Sequence, residues 1–131
     1  MRKKAISVLF VLLGAFTGAV SASAHHGNAG YDYTKTIVVK GTVTEWVWSN
    51  PHCLLKFDAK DEKGNLQHWV TEASSPVDML HAGWSKNTFK PGDPITIDVM
   101  PNKDDNTPVG RIRKVTLSDG TVLQATTRTV I

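Results

Sequence analysis

Residues 66–83, LQHWVTEASSPVDMLHAG, change periodicity half-way along and decide the fold class. Leu66 to Glu72, with Trp69, Val70 and Thr71 at its centre, has the composition of a strand. From Ser75 the pattern becomes helical. Serine stands at the N-cap, where its hydroxyl can accept from an early backbone N–H, and Pro76 stands at N1, where its missing N–H costs nothing. Asp78 at N3 suits the positive end of the helix dipole, Val77 and Leu80 offer an apolar face, and Gly83 supplies a left-handed stop, giving a helix of about two turns.

Strand signals lie on both sides of this element. Ile37 to Trp48 is β-branched and aromatic, with Val39, Gly41, Val43 and Val47 on one alternating face and Val38, Thr42, Thr44, Trp46 and Trp48 on the other. Apolar residues on both faces, with Gly41 inside the run, predict a long strand bent or bulged enough to serve both halves of a small barrel. Ser49-Asn50-Pro51 ends it, and His52 to Ala59 pairs with Leu66 to Glu72 across a charged, glycine-containing hairpin loop at residues 60–65. Downstream, Lys90-Pro91-Gly92-Asp93 is a turn, and Ile95, Ile97 and Val99 alternate with Thr96 and Asp98. Pro101 to Pro108 is a polar loop, after which Val109 to Leu117 and Thr121 to Ala125 close the domain around Ser118-Asp119-Gly120.

Three strands, one short helix and two or three further strands follow the order of the OB-fold, whose helix falls between strands three and four. The expected fold is therefore mainly β, an OB-like five- to six-stranded small barrel over residues 37–131, preceded by an N-terminal arm at 25–36. A small β-sandwich is the alternative, but it does not usually insert a capped helix at that point. A length of 131 residues supports one such domain and one modest core.

The first 24 residues have a different character. Arg2, Lys3 and Lys4 precede an uncharged apolar run, and Val20-Ser21-Ala22-Ser23-Ala24 ends it in small residues. This is the layout of a secretory signal peptide cleaved after Ala24, or alternatively after Ala22. A membrane anchor is the competing reading, since the uncharged stretch approaches the ~20 residues a span requires. Gly14, Thr17, Gly18 and the serines dilute its second half, however, and no basic stop-transfer cluster follows. The expected location is periplasmic or secreted, with no stable membrane insertion after cleavage.

Processing also changes the charge. The chain carries 15 Lys+Arg against 12 Asp+Glu, and loss of Arg2, Lys3 and Lys4 leaves 12 of each sign. The basic excess belongs to the export signal, so no nucleic-acid partner is expected, because clustered cations supply most non-specific affinity for phosphate backbones. Cys53 is the single cysteine and has no partner for an intramolecular disulfide; in its alternating stretch it reads as a small buried apolar residue, with a soft metal ligand as the alternative.

Cleavage after Ala24 would start the mature chain at His25-His26. A free α-amine and an imidazole nitrogen on one residue can chelate a metal ion, and the amine's pKa of about 7.7–8.0 makes its deprotonation inexpensive near neutrality. Cu²⁺ heads the affinity order for such nitrogen sites and accepts tetragonal geometry. The terminus resembles the histidine brace of copper monooxygenases and of periplasmic copper carriers, a resemblance confined to the first residue and its amine. Cleavage after Ala22 would instead give Ser23-Ala24-His25, an amino-terminal copper and nickel motif. The bland alternative is a His-His pair that binds metal adventitiously.

Further donors have to come from the barrel: His52, His68 and His81, with Glu72, Asp32 and Cys53. His52 carries most weight, because it follows Asn50-Pro51 at the loop between the first two strands, one of the places where OB-folds bind ligands. His68 and His81 suit structural roles better. Trp46 and Trp48 approach the same corner and could stack a planar ligand or sugar together with Asn50 and His52, or could fill the barrel core. No hydrolase elbow, zinc-protease helix motif or phosphate loop is present in the sequence, and Asp104-Asp105-Asn106 lacks the spacing of a calcium loop. No catalytic residues are assigned.

These elements taken together, His25-His26, Tyr31-Asp32, Gly41-Thr42-Val43, Trp48-Ser49-Asn50-Pro51-His52, Trp69 to Glu72, Ser75-Pro76, Gly83-Trp84, Lys90 to Asp93 and Ser118-Asp119-Gly120, resemble a family of small exported bacterial proteins catalogued as domain of unknown function 6152. Family members commonly begin His-His-Ser-Phe where this chain has His25-His26-Gly27-Asn28, which keeps the histidines and drops the aromatic residue. The resemblance implies export and no known catalytic residues. The function expected is an exported binding protein that takes copper through its N-terminal histidine. The alternatives are a module binding a small molecule, glycan or protein, and a copper-dependent oxidoreductase.

Overall fold

The structure is a computed structural model that describes residues 30–104 and 107–125. Its elements are β1 Ile37–Val47, β2 Leu54–Lys60, β3 Leu66–Glu72, α1 Pro76–His81, β4 Pro94–Pro101, β5 Val109–Leu117 and β6 Val122–Gln124. The strands follow one another as β3-β2-β1-β4-β5-β6, and β3 also pairs with β5. That last pairing is parallel, through Val70↔Val109, Thr71↔Gly110 and Glu72↔Arg111, and it closes five strands into an OB-type barrel with β6 as an extra strand on β5. Only a strand that bends can serve both sides of such a barrel. β1 does so, pairing with β4 over Ile37 to Thr42 and with β2 over Thr42 to Val47.

The bend is made at Thr44, where pairing moves from Val43↔Phe57 to Glu45↔Lys56 and leaves Thr44 as the extra residue of a β-bulge. The bulge reverses the alternation, so Val43 and, beyond it, Trp46 and Trp48 all turn toward the core. Strict period-two reading placed the tryptophans on the face opposite Val43. At Gly41, where the bend was expected, the pairing is regular. Its glycine answers a packing demand, since a Cβ there would stand 2.6 Å from Asp58 O and 2.6 Å from the Phe57 ring. A second bulge makes Arg113 the extra residue of β5 and brings Ile112 and Val115 both inward.

The core holds Leu55, Phe57, Ile97, Val99, Ile112 and Val115, each at most 1% exposed. Buried Thr71 is satisfied by donating its hydroxyl to Leu55 O at 2.8 Å. α1 starts as its sequence dictates: Ser75 Oγ accepts from Asp78 N–H at 3.3 Å, and Gly83 takes φ +87°. Its buried face differs from expectation. Val77 and Leu80 remain 59% and 57% exposed, while Met79 is fully buried. A helix of six residues presents little more than one side chain to a barrel end, and the unbranched, adaptable Met79 fills that place. Trp84 locks the arrangement, donating its backbone N–H to Met79 O and its indole N–H to Gln124 O, both at 2.8 Å.

Candidate functional site

Barrel closure creates the site. Thr71 and Gly110 face inward at the β3–β5 seam, so the next residues along, Glu72 and Arg111, emerge side by side on the outer surface. Arg111 donates through Nη1 to Glu72 Oε1 at 3.0 Å and through Nη2 to Ser74 Oγ at 3.1 Å. Both members of this ion pair are largely covered, with side chains 13% and 16% exposed. Tyr31 comes from the arm and donates its phenol O–H to Glu72 Oε2 at 2.9 Å. His52 comes from the β1–β2 loop, its Nδ1 3.1 Å from Glu72 Oε1 and its side chain 39% exposed. One carboxylate thus gathers the arm, the β1–β2 loop and β5.

The arm reaches this point along the end of β4. Asp32 N–H donates to Pro101 O at 2.8 Å and Lys103 N–H to Gly30 O at 2.9 Å, with Tyr31 and Asn102 forming a bridge. Asp32 then turns the chain, accepting from Thr34 N–H at 3.0 Å and Thr34 Oγ1 at 2.6 Å; these bonds hold its carboxyl below the usual carboxylate range.

What each group can do follows from its partners. Both oxygens of Glu72 are engaged by Arg111, Tyr31 and His52, so this carboxylate braces its neighbours and is not a free ligand or base. Tyr31 is pushed up to about 12, first by burial and then by its bond to Glu72, and stays a neutral donor. His52 has a carboxylate facing Nδ1, which favours the proton on that nitrogen and leaves Nε2 as a lone-pair donor. Such carboxylate–histidine pairs orient metal-binding imidazoles, and the location between the β1–β2 loop and β3 is a surface where OB-folds take ligands.

The other residues singled out from sequence fall as follows. Asn50 is exposed and precedes Pro51 through a cis peptide bond. Trp46 donates its indole N–H to Ser85 O at 2.9 Å and packs against Trp48, Trp84 and Phe89 with ring centroids 5.2–5.8 Å apart, so these rings occupy one another at the barrel end. Cys53 is fully buried, and burial pushes its thiol up, as suits an apolar core residue. His68 stands on the outer face, Nδ1 2.6 Å from Asp58 Oδ1, and His81 is exposed at the end of α1. Neither approaches Glu72's group of contacts. His25 and His26 lie outside the described residues.

Sequence reasoning named His52 and Glu72 separately but gave no role to Tyr31, Ser74 or Arg111. Their convergence depends on a parallel pairing between strands far apart in the chain, which no local pattern announces. Among the described residues no three His, Cys, Asp or Glu side chains are grouped to hold a metal. A shallow cavity of about 250 Å³ over Lys40, Ile95, Thr96 and Leu117 contains none of the candidate residues.

A family model described as a family of unknown function, DUF6152, matches residues 14–110. No curated protein and no solved structure matches the chain.

Proposed function

The chain belongs to the DUF6152 family, to which no activity is assigned, and from the site itself we propose an exported binding protein that holds copper between its mature N-terminal histidine and His52. The observation that carries this reading is the double use of Glu72. The carboxylate that faces Nδ1 of His52 also receives Tyr31, the residue through which the N-terminal arm crosses to the site. The described end of the arm therefore shares an anchor with His52, whose Nδ1 faces a carboxylate as that of His68 does on the far outer face, where no arm residue is bonded to it.

The donor chemistry fits a nitrogen-loving ion. Both oxygens of Glu72 are already engaged, Tyr31 is neutral and Cys53 is buried, so the readiest donor at this place is one imidazole nitrogen. A second imidazole and an α-amine, both on His25 after cleavage behind Ala24, complete an all-nitrogen set of the kind Cu²⁺ prefers. His26 is a further donor on the same arm. In this role the protein carries or buffers the ion in the periplasm.

The test is isothermal titration of natively processed, untagged protein with Cu²⁺. Submicromolar affinity, weakened by both His25→Ala and His52→Ala, is expected. Affinity no better than micromolar and indifferent to His25→Ala would sink the proposal. Ligand-dependent tryptophan fluorescence that ignores copper and chelators would favour a non-metal ligand at Trp46 and Trp48.

A further inference from the structure

The shallow cavity of about 250 Å³ over β1, β4 and β5 has Lys40, Thr96, Thr116 and Ser118 on its polar side and Pro94 and Leu117 on its apolar side. Strand register brings the polar groups together. Lys40 stands opposite Thr96 across β1 and β4, and Thr96 stands opposite Thr116 across β4 and β5. Their sequence neighbours Ile95, Ile97 and Val115 fill the core, which turns this row of three outward. Side chains directly opposite in a sheet have Cβ atoms about 4.5–5.5 Å apart, close enough for neighbouring members of the row to meet one small ligand.

The chemistry of the row is that of unused donors. Among the described residues, the Lys40 ammonium and the hydroxyls of Thr96, Thr116 and Ser118 make no hydrogen bond or ion pair. The acidic residues that flank these positions in the chain are each engaged elsewhere. Asp98 pairs with Lys114 at 3.5 Å, Asp93 accepts from Lys90 N–H at 2.9 Å, and Asp119 accepts from Thr121 N–H at 2.8 Å. Lys40 therefore brings an uncompensated positive charge to a concavity that also offers hydroxyl donors. The apolar side makes a bare inorganic ion a poor match, and the volume lies just below the roughly 300–1,000 Å³ of drug-sized ligand pockets.

We infer that this concavity is a second ligand site, which takes a small organic carboxylate, its oxygens on Lys40 and the threonine hydroxyls and its short apolar body on Pro94 and Leu117. The site shares no residue with Glu72's group of contacts and does not depend on the copper reading. Titration of the full chain with sodium butyrate, followed by backbone amide shifts, tests it. Saturable shifts at Thr96, Thr116 and Ser118 are expected, with affinity in the millimolar range for so small a ligand. Lys40→Gln should weaken binding about tenfold, as loss of a charge-assisted contact does, and Thr96→Val roughly fivefold. Lys60→Gln, at an exposed lysine outside the concavity, should leave it unchanged. Butyramide, the uncharged counterpart, should bind about tenfold more weakly than butyrate. The absence of saturable shifts at Thr96 and Thr116, an equal response to butyramide, or a response as sensitive to Lys60→Gln as to Lys40→Gln would each overturn the inference.

Discussion

Replacing Glu72 by glutamine keeps the side-chain volume and removes the charge on which three neighbours converge. The largest consequence falls on Arg111, whose guanidinium is 13% exposed and would lose its counter-ion. Breaking a fully buried pair by changing one partner costs about 3–5 kcal/mol, whereas an exposed pair is worth about 0–1 kcal/mol. With both side chains mostly but not fully covered, and with an amide oxygen still able to accept one bond, Glu72→Gln should cost about 2 kcal/mol. For a barrel of this size that lowers Tm by about 8–16 °C. Urea denaturation at pH 7, followed by tryptophan fluorescence, measures the change. Asp58→Asn serves as the comparison, because its partner His68 is 77% exposed and its loss should cost under about 1 kcal/mol. If Glu72→Gln is no more costly than Asp58→Asn, Glu72 does not organise the seam.

Other parts of the structure are open to equally direct tests. Met79→Ala should destabilise by about 2–5 kcal/mol and Leu80→Ser by no more than about 0.5 kcal/mol, and the reverse ranking in denaturation would restore the helix face expected from sequence. Gly41→Ala places a methyl 2.6 Å from Asp58 O and the Phe57 ring and should cost about 1–3 kcal/mol; a neutral result would contradict the close approach of β1 and β2. Because the folded protein raises Tyr31 to about 12, this group's contribution to stability is complete below its unfolded value near 10 and is lost as pH rises from there toward 12. Tyr31→Phe should remove that part of the alkaline decline, and alkaline denaturation curves that superimpose for the two proteins would refute the assignment. Cys53, buried with its thiol pushed up by desolvation, should resist a thiol reagent at pH 7 until the barrel unfolds, so rapid modification of native protein would contradict its placement.

Much of the fold is written in local signals. The capped start of α1 at Ser75-Pro76, the strand from Leu66 to Glu72 and the strand from Val109 to Leu117 all follow from composition and punctuation. The bulge at Thr44 does not, because an extra residue inverts the alternation that period-two reading relies on, and Trp46 and Trp48 consequently turn inward. The helix face is also misread by periodicity, since six residues are too few to define a face and one methionine decides it. For the site, His52 is legible from its place after Asn50-Pro51, and Glu72 as a possible donor. Arg111 and Tyr31 become partners only when a parallel seam closes the barrel and the arm crosses it, and those contacts join residues 39 and 41 positions apart.

The most direct measurement on the central claim is the native intact mass, with metal content, of untagged protein purified from the cells that make it, periplasmic and cytoplasmic fractions kept apart. The account predicts a chain beginning at His25 and carrying one copper ion that is lost in His52→Ala. A chain of any start that comes out free of copper from copper-replete cells, or one whose copper survives His52→Ala undiminished, would contradict it.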